Sequence, residues 1–240
     1  MNDYFIRPDW PVSSDIHAVT TLRSGGFSRG AYASMNPASH VGDNPLSVLR
    51  NRKILIDRLN LPAEPVWLKQ EHGIRVINAG LHGHRRADAS FTFEKGVVCT
   101  VLTADCLPVL LCNPITGVIA AIHAGWRGLL LGVIEAALEV IGDYRVAWLG
   151  PAIGPDAFVV GSEVRDRFLA KTHAFGSAFK AVDDQKWLLD LYSVARMILS
   201  GKGARFIGGG EWCTYSDTER FFSYRRDGAC GRLATLIWRE

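Results

Sequence analysis

Val118-Ile-Ala-Ala-Ile-His-Ala-Gly-Trp-Arg-Gly128 packs a strand, a bend and the start of a helix into one short stretch. The first five residues are all apolar, the pattern of a strand buried on both faces. Beyond the bend, Leu130, Val133, Ile134, Ala137, Leu138 and Ile141 fall on one helical stripe, and Gly142 supplies a stop. His123 stands at the lip between strand and helix. Upstream, Val97 to Leu102 and Val109 to Cys112 are β-rich runs, with shorter strands expected at Val66–Leu68 and Val76–Ile77. Ser47 to Leu59 reads as a helix, because Val48, Leu49, Ile54, Leu55 and Leu59 recur at helical spacing before Pro62 ends it. Downstream, Tyr144–Leu149 reads as a strand closed by the loop Gly150-Pro-Ala-Ile-Gly-Pro155. Ser162–Ala170 and Leu188–Ser200 read as helices, the second capped by Gly201, and Phe206–Ile207 and Leu233–Trp238 as strands. The first forty residues are dense in turn formers. The connections are too varied for a βαβ repeat, no period of 20–50 residues appears, and no shift in composition marks a boundary. The expectation is one α+β domain over residues 1–240, with mixed β-sheets and surrounding helices.

Composition narrows the class. The 240 residues are 48% hydrophobic and 21% charged, which excludes disordered and fibrous chains. Lys plus Arg number 27 and Asp plus Glu 24, a net charge of +3, too mild to argue for nucleic acid or an anionic membrane surface. No apolar run reaches the roughly 18–20 residues of a membrane span. Asp3 and Pro8 interrupt the N-terminus where a signal peptide would be basic and then apolar. Five scattered cysteines without a CxxC pair argue against a disulfide framework and for a reducing cytosol. The expectation is a soluble, cytoplasmic, globular protein.

Three chemically capable side chains share one kind of position. His72, Cys106 and His123 each lie where a strand ends and a glycine or proline bend begins, and such bends build sites at sheet edges. Taken singly, a histidine is more often a hydrogen-bonded structural residue and a buried cysteine a small hydrophobe. Two imidazoles and a thiolate are also a zinc set that leaves a fourth position for water. The separations of 34 and 17 residues form no local metal motif, and a cysteine hydrolase with Cys106 as nucleophile and Asp105 or another acid orienting a histidine fits equally well. His82 and His84 read as a surface loop, and His17, His40 and His173 have no chemical neighbours in sequence. Cys99 and Cys112 sit in apolar strands as packing residues, with Cys213 and Cys230 in looser company. Candidate anion ligands are Arg127, at the start of a helix, the pair Arg225 and Arg226, and Arg23 in a glycine-rich loop. No GxGxxG, Walker A, HExxH or GxSxG motif is present.

Several runs together resemble the YfiH family of laccase-domain proteins, also described as polyphenol oxidases and purine nucleoside phosphorylases. They are Gln70-Glu-His-Gly73, Thr103-Ala-Asp-Cys-Leu-Pro-Val-Leu-Leu111 and Ile122-His-Ala-Gly-Trp-Arg-Gly128, with Thr21-Leu-Arg-Ser-Gly-Gly-Phe-Ser28, Val41-Gly-Asp43, Arg86-Ala-Asp-Ala89, Leu149-Gly-Pro-Ala-Ile-Gly-Pro155, Cys213-Thr-Tyr215 and Phe221-Phe-Ser-Tyr-Arg-Arg-Asp227. The resemblance implies a zinc ion on His72, Cys106 and His123, and an α+β fold of the kind grouped with cytotoxic-necrotizing-factor catalytic domains. It also implies phosphorolysis of adenosine, inosine and methylthioadenosine with deamination of adenosine, so that nucleoside and phosphate are the expected partners. Asp105 and Glu71 are the nearest acids in sequence to carry protons. Glu71 stands where the family more often has valine, and Pro37 follows Asn36 where Leu-Gly is usual. Seven histidines with one HxH pair cannot build a multicopper cluster, so oxidation by a Cu2+-loaded form is expected to be incidental. A zinc amidase on a nucleotide-linked (UDP) peptidoglycan precursor would use the same residues, whereas a regulatory protein in which zinc only closes the structure would require a fourth protein ligand, and no fourth cysteine or histidine with a matching signature is visible.

Overall fold

The computed structural model describes residues 4–143 and 145–240. Asp3, used in reading the N-terminus, and Tyr144, the expected first residue of a strand, lie outside the described residues. The chain begins with β1 (Phe5–Ile6), β2 (Ile16–Thr21) and α1 (Pro45–Leu59). It continues through β3 (Val76–Asn78), β4 (Ala89–Thr92), β5 (Cys99–Thr103), β6 (Leu107–Cys112) and β7 (Ile119–Ala124) to α2 (Trp126–Leu131) and α3 (Val133–Ile141). Then come β8 (Val146–Leu149), β9 (Val159–Gly161), α4 (Ser162–Lys171), β10 (Phe179–Ala181), β11 (Lys186–Leu189) and α5 (Leu191–Gly201). The last elements are β12 (Phe206–Gly209), the short α6 (Tyr224–Asp227) and β13 (Leu233–Arg239). This is the α+β architecture with mixed sheets that the sequence predicts.

Two sheets and the helices outside them form the layers. A six-stranded sheet runs β12-β8-β6-β7-β4-β3 and a four-stranded sheet runs β1-β2-β13-β5, with β10-β11-β9 as a small third sheet. The large sheet is mixed: β12 pairs parallel to β8 and β3 to β4, while β6, β7, β8 and β4 pair antiparallel. Alternation along the central strands sorts their side chains. Leu107, Val109 and Leu111 of β6 pack with Val133, Ile134, Ala137 and Leu138 of α3 and with Val194 and Ile198 of α5. On the opposite face, Leu110 and Cys112 of β6 and Ile119 and Ala121 of β7 meet Cys99, Val101 and Ile237 of the four-stranded sheet. The far side of that second sheet is covered by Leu55 and Leu59 of α1. His123 follows Ile119 and Ala121 by twos, so it belongs to the layer between the sheets, at its end.

Local chemistry revises several expected boundaries. The single helix expected after the Gly125-Trp-Arg-Gly128 bend, up to about Ile141, is two helices, because Gly132 adopts φ +104 and ends α2 before α3 begins. α1 starts at Pro45, where the Asn44 side chain accepts from the amides of Leu46 and Ser47, and ends on Asn60 in a left-handed conformation ahead of Pro62. Leu188 belongs to β11; α5 starts at Leu191 with the Asp190 side chain as cap, and Gly201 is its last residue rather than its cap. Val66–Leu68 makes only a single bridge, to Cys99. The turn-rich first forty residues contain β2, which is hydrogen-bonded to β13 in the middle of the four-stranded sheet.

Candidate metal centre

The three-residue link from β5 to β6 crosses from one sheet to the other and carries Asp105 and Cys106. Cys106 enters β6 beside the end of β7, where Pro108 pairs with His123. His72 arrives on a loop held by Gln70, whose side chain donates to the carbonyl of Leu102 and accepts from its amide, both at 2.8 Å. These two bonds stitch the loop to β5 as a neighbouring strand would. The expected trio therefore converges: the ligating atoms of His72, Cys106 and His123 all lie within 4.8 Å of one another. Cys106 Sγ is 3.8 Å from His72 Nε2, and the two imidazoles meet edge to face with centroids 4.7 Å apart. Ligands of a tetrahedral zinc stand about 3.5 Å apart for bonds of 2.0–2.3 Å, so the spacing suits such an ion with little movement. His123 is buried, Cys106 half-buried and His72 exposed, so the cluster opens to solvent on the His72 side.

Two non-glycine residues at the site hold unusual backbone angles, His72 at φ 59 and Asp105 at φ 86. Such conformations cost energy and persist where the surroundings impose them. For His72 the surroundings are Asp88. Its carboxylate accepts from the amides of His72 at 2.8 Å, Gly73 at 2.7 Å and Glu71 at 3.2 Å, and binds His123 Nδ1 at 2.8 Å. The His123 amide also donates to the Asp88 carbonyl at 2.7 Å. One buried carboxylate thus positions both histidines, and it fixes His123 with Nε2 left for the cluster. Sequence reasoning missed this residue as a functional one, although Asp88 stands in the Arg86-Ala-Asp-Ala89 run; a carboxylate 16 residues from one histidine and 35 from the other gives no spacing signal.

The electrostatics follow from the same contacts. Burial opposes charge on Asp88, but His123 and the Gly73 and Glu71 amides outweigh it and hold the carboxyl below its usual range. Burial likewise opposes a Cys106 thiolate, yet His123 and His72 bring the thiol down to about 6. Against its own burial, His123 is pushed up to about 9 by the Cys106 and Asp88 charges. Cys99 and Cys112, buried in the layer between the sheets, are pushed up to about 12 by desolvation.

The other sequence candidates are distributed differently. Asp105 does not reach toward the trio's protons: its Oδ1 accepts from Thr214 Oγ1 and its Oδ2 from the Arg225 amide, both at 2.6 Å. It anchors the turn that presents Cys106. The Glu71 side chain is turned to solvent and pairs with Arg86 at 2.6 Å, so it does not buttress His72. All five guanidinium donors of Arg226 are spent on the carbonyls of Thr214, Tyr215 and Phe221 and on Asp227, leaving none for an anion. Arg225 gives one donor to the Val159 carbonyl and stacks on Phe158. Arg127 is exposed and lies over Trp126. Arg23 binds the Thr218 carbonyl and lines a surface hollow of about 450 Å3 with Ser24, Ala33, Ser34, Thr218 and Glu219. Burial first, and then the charges of Arg232, Arg52 and His123, hold the His40 imidazole below its ordinary value.

Residues 17–240 match the family described as "Multi-copper polyphenol oxidoreductase laccase". The chain belongs to this family. It is 46% identical over 238 residues to a purine nucleoside phosphorylase of Pseudomonas aeruginosa, covering 98% of each chain. It is 48% identical to the purine nucleoside phosphorylase YfiH of Escherichia coli, covering 97% of this chain and 98% of that one. The crystal structure of a Neisseria meningitidis protein superposes with a TM-score of 0.95 at 44% identity, covering 99% of this chain and 100% of the other. YlmD from Geobacillus stearothermophilus gives 0.87 at 28% identity, covering 100% and 97%. The resemblance read from the motifs is thereby established, as is the enzymatic character of the family.

Proposed function

We propose that this chain is a zinc-dependent enzyme of purine nucleosides, carrying out phosphorolysis of adenosine, inosine and methylthioadenosine and deamination of adenosine. The observation that carries the reading is the His72–Cys106–His123 cluster buttressed by Asp88, in a chain alike along nearly its whole length to proteins named purine nucleoside phosphorylases. A cysteine hydrolase would need Cys106, one imidazole and a carboxylate. The second imidazole on Sγ has no part in such a triad and an obvious one as a metal ligand. Nitrogen and sulfur donors with a carboxylate behind one imidazole fit zinc, and would also accept copper. Among the described residues this is one group of three ligands, too few for a multicopper cluster, which supports oxidation as a secondary property of a copper-loaded form.

His72, Cys106 and His123 would hold the ion. When bound, it supplies Lewis-acid activation of water. Asp88 keeps the His123 Nδ1 proton and so leaves Nε2 as the donor, while Gln70 and the Asp88-bound amides keep His72 in register. In deamination, water oxygen bonds to C6 of the purine and ammonia leaves with the proton that water gives up. In phosphorolysis, a phosphate oxygen bonds to ribose C1′ as the bond to purine N9 breaks, and the electron pair left on the base takes up a proton.

The test is chromatography of adenosine incubated with zinc-loaded protein, with and without phosphate. Adenine and ribose-1-phosphate are expected only with phosphate, inosine in both, and Cys106→Ala is expected to lose both reactions and its zinc. Equal adenine in the two incubations would mean hydrolysis, and no turnover in either overturns the reading.

A further inference from the structure

Asp105, at φ 86, stands immediately before a metal-ligand candidate. Rotation about its N–Cα bond swings everything that follows, Cys106 first, so this one angle decides where the thiol points. The link it belongs to forms no helix or strand of its own, and the angle is imposed by partners from elsewhere in the chain. The Asp105 carbonyl accepts from the Ile153 amide at 3.0 Å, Oδ1 from Thr214 Oγ1 at 2.6 Å and Oδ2 from the Arg225 amide at 2.6 Å. These partners are themselves fixed. Thr214 is fully buried, and its amide donates to the Ala152 carbonyl at 2.9 Å. The Tyr192 hydroxyl accepts from the Ala152 amide at 2.7 Å and donates to the Trp212 carbonyl at 2.9 Å, joining the loop that carries Ile153 to the segment that carries Thr214. Arg226 Nη1 donates to the carbonyls of Thr214 and Tyr215, and its amide donates to Ser223 Oγ at 3.2 Å, so Thr214 and α6 form one stitched unit.

Resting on the metal site of the reading above, we infer that Asp105 is a positioning residue: tied to Thr214, Ile153 and the Arg225 amide, it is a strut that holds the turn before Cys106 in the conformation that sets the thiol against both imidazoles. The tolerance is small. Cys106 Sγ stands 3.8 Å from His72 Nε2, and a metal–ligand distance tolerates only about 0.2 Å, so a relaxed φ at Asp105 leaves the ion one ligand short. Asp88 works on a ligand ring directly, whereas Asp105 works through the backbone. Asparagine can reproduce both side-chain contacts, Oδ1 accepting from the Arg225 amide and Nδ2 donating to Thr214 Oγ1, and it tolerates positive φ. Glycine takes up the backbone angle without strain but keeps neither contact. The two substitutions therefore separate the anchor from the strained angle.

The experiment loads metal-stripped protein with Co2+ and reads three things: the thiolate-to-cobalt charge-transfer band, the metal affinity by competition with a chromophoric chelator, and the melting temperature. Asp105→Gly is expected to bind metal about 10–100-fold more weakly, the scale for outer partners of a metal ligand, with a diminished band. Asp105→Asn is expected to restore parent-like affinity and the full band. Thr214→Val removes one contact from the far side of the strut. It is expected to weaken binding by about tenfold, and it answers for Asp105→Gly should that variant fold poorly. Parent-like band and affinity in folded Asp105→Gly or in Thr214→Val overturns the strut, even if the variant melts lower, since a lower melting temperature alone is what a merely structural residue would give. Equal losses in Asp105→Asn and Asp105→Gly overturn it too, because the contacts would then not be what matters. A parent protein without the charge-transfer band overturns the metal centre and the strut together. The expected series in a protein that turns over no nucleoside upholds the strut and overturns the assigned reaction instead.

Discussion

Asp88 is the residue on which the site's geometry converges, although it touches no metal position itself. A carboxylate that orients a ligating histidine commonly accounts for 10–100-fold in metal affinity. Asp88 also satisfies three loop amides, and an Asn in its place would turn an N–H group toward donors. Asp88→Asn is therefore expected to lower zinc affinity by about 10–100-fold, read by competition with a chromophoric chelator; parent-like affinity would mean that the His72 loop and His123 are positioned without it. Thiol chemistry offers a second reading at the same scale. In metal-stripped protein Cys106, with its thiol near 6 and partly exposed, is expected to alkylate with iodoacetamide at a rate that climbs through pH 6 and levels off above pH 7. Cys99 and Cys112, buried and near 12, stay unlabelled in the folded protein, and zinc protects Cys106. Peptide mass mapping of the labelled protein checks the order, and labelling of Cys99 before Cys106 would contradict it.

At the scale of elements, the site depends on how closely β7 and α2 approach the loop bearing His72. Gly125 caps α2, and a Cβ there would lie 2.9 Å from Cys106 Sγ and 3.1 Å from His72 Cδ2. Its φ of −69 is ordinary, so glycine is required by space rather than by backbone freedom. Gly125→Ala is expected to push two ligands apart, lower zinc affinity by more than about tenfold and cost about 1–3 kcal/mol of stability. Metal analysis and thermal melting check it, and a fully loaded variant of parent stability would show that the approach is looser than drawn. The same elements mark what a sequence reader can see. β6, β7 and the stripe of α3 were legible because burial on both faces and helical period leave direct patterns. The break at Gly132 was not, since apolar residues continue across it and one left-handed glycine redirects the chain. β11 was absorbed into α5 because Leu188 and Leu189 extend the helical pattern, and Asp190 decides the start only through its side-chain bond to the Ser193 amide. His72, Cys106 and His123 were legible as residues at strand ends; Asp88 was not, because its significance lies in contacts between segments far apart in sequence.

Across the whole molecule, the ligands hang on structure that does not need the ion. His123 lies in a strand paired on both sides, to β4 and β6, and the Asp88 carbonyl holds its amide. Cys106 is carried on the link between two sheets that share the packed layer of Val101, Leu110, Ile119, Trp148 and Ile237. His72 is tied by Gln70 and Asp88 rather than by its ring alone. A structural zinc site, by contrast, supplies folding energy outright and unfolds when the metal is removed. Metal binding here should add stability only by mass action, about 4 kcal/mol when free zinc exceeds its Kd a thousandfold. For a chain of this size each kcal/mol moves the melting temperature about 2–4 °C. Chelation is therefore expected to lower the Tm by roughly 8–16 °C at that loading. The far-UV circular dichroism at 25 °C and a single cooperative transition should remain, and added zinc should restore the Tm. Loss of the circular dichroism signal on chelation would assign the ion a structural role and remove the argument that the fourth ligand position is kept for substrate or water.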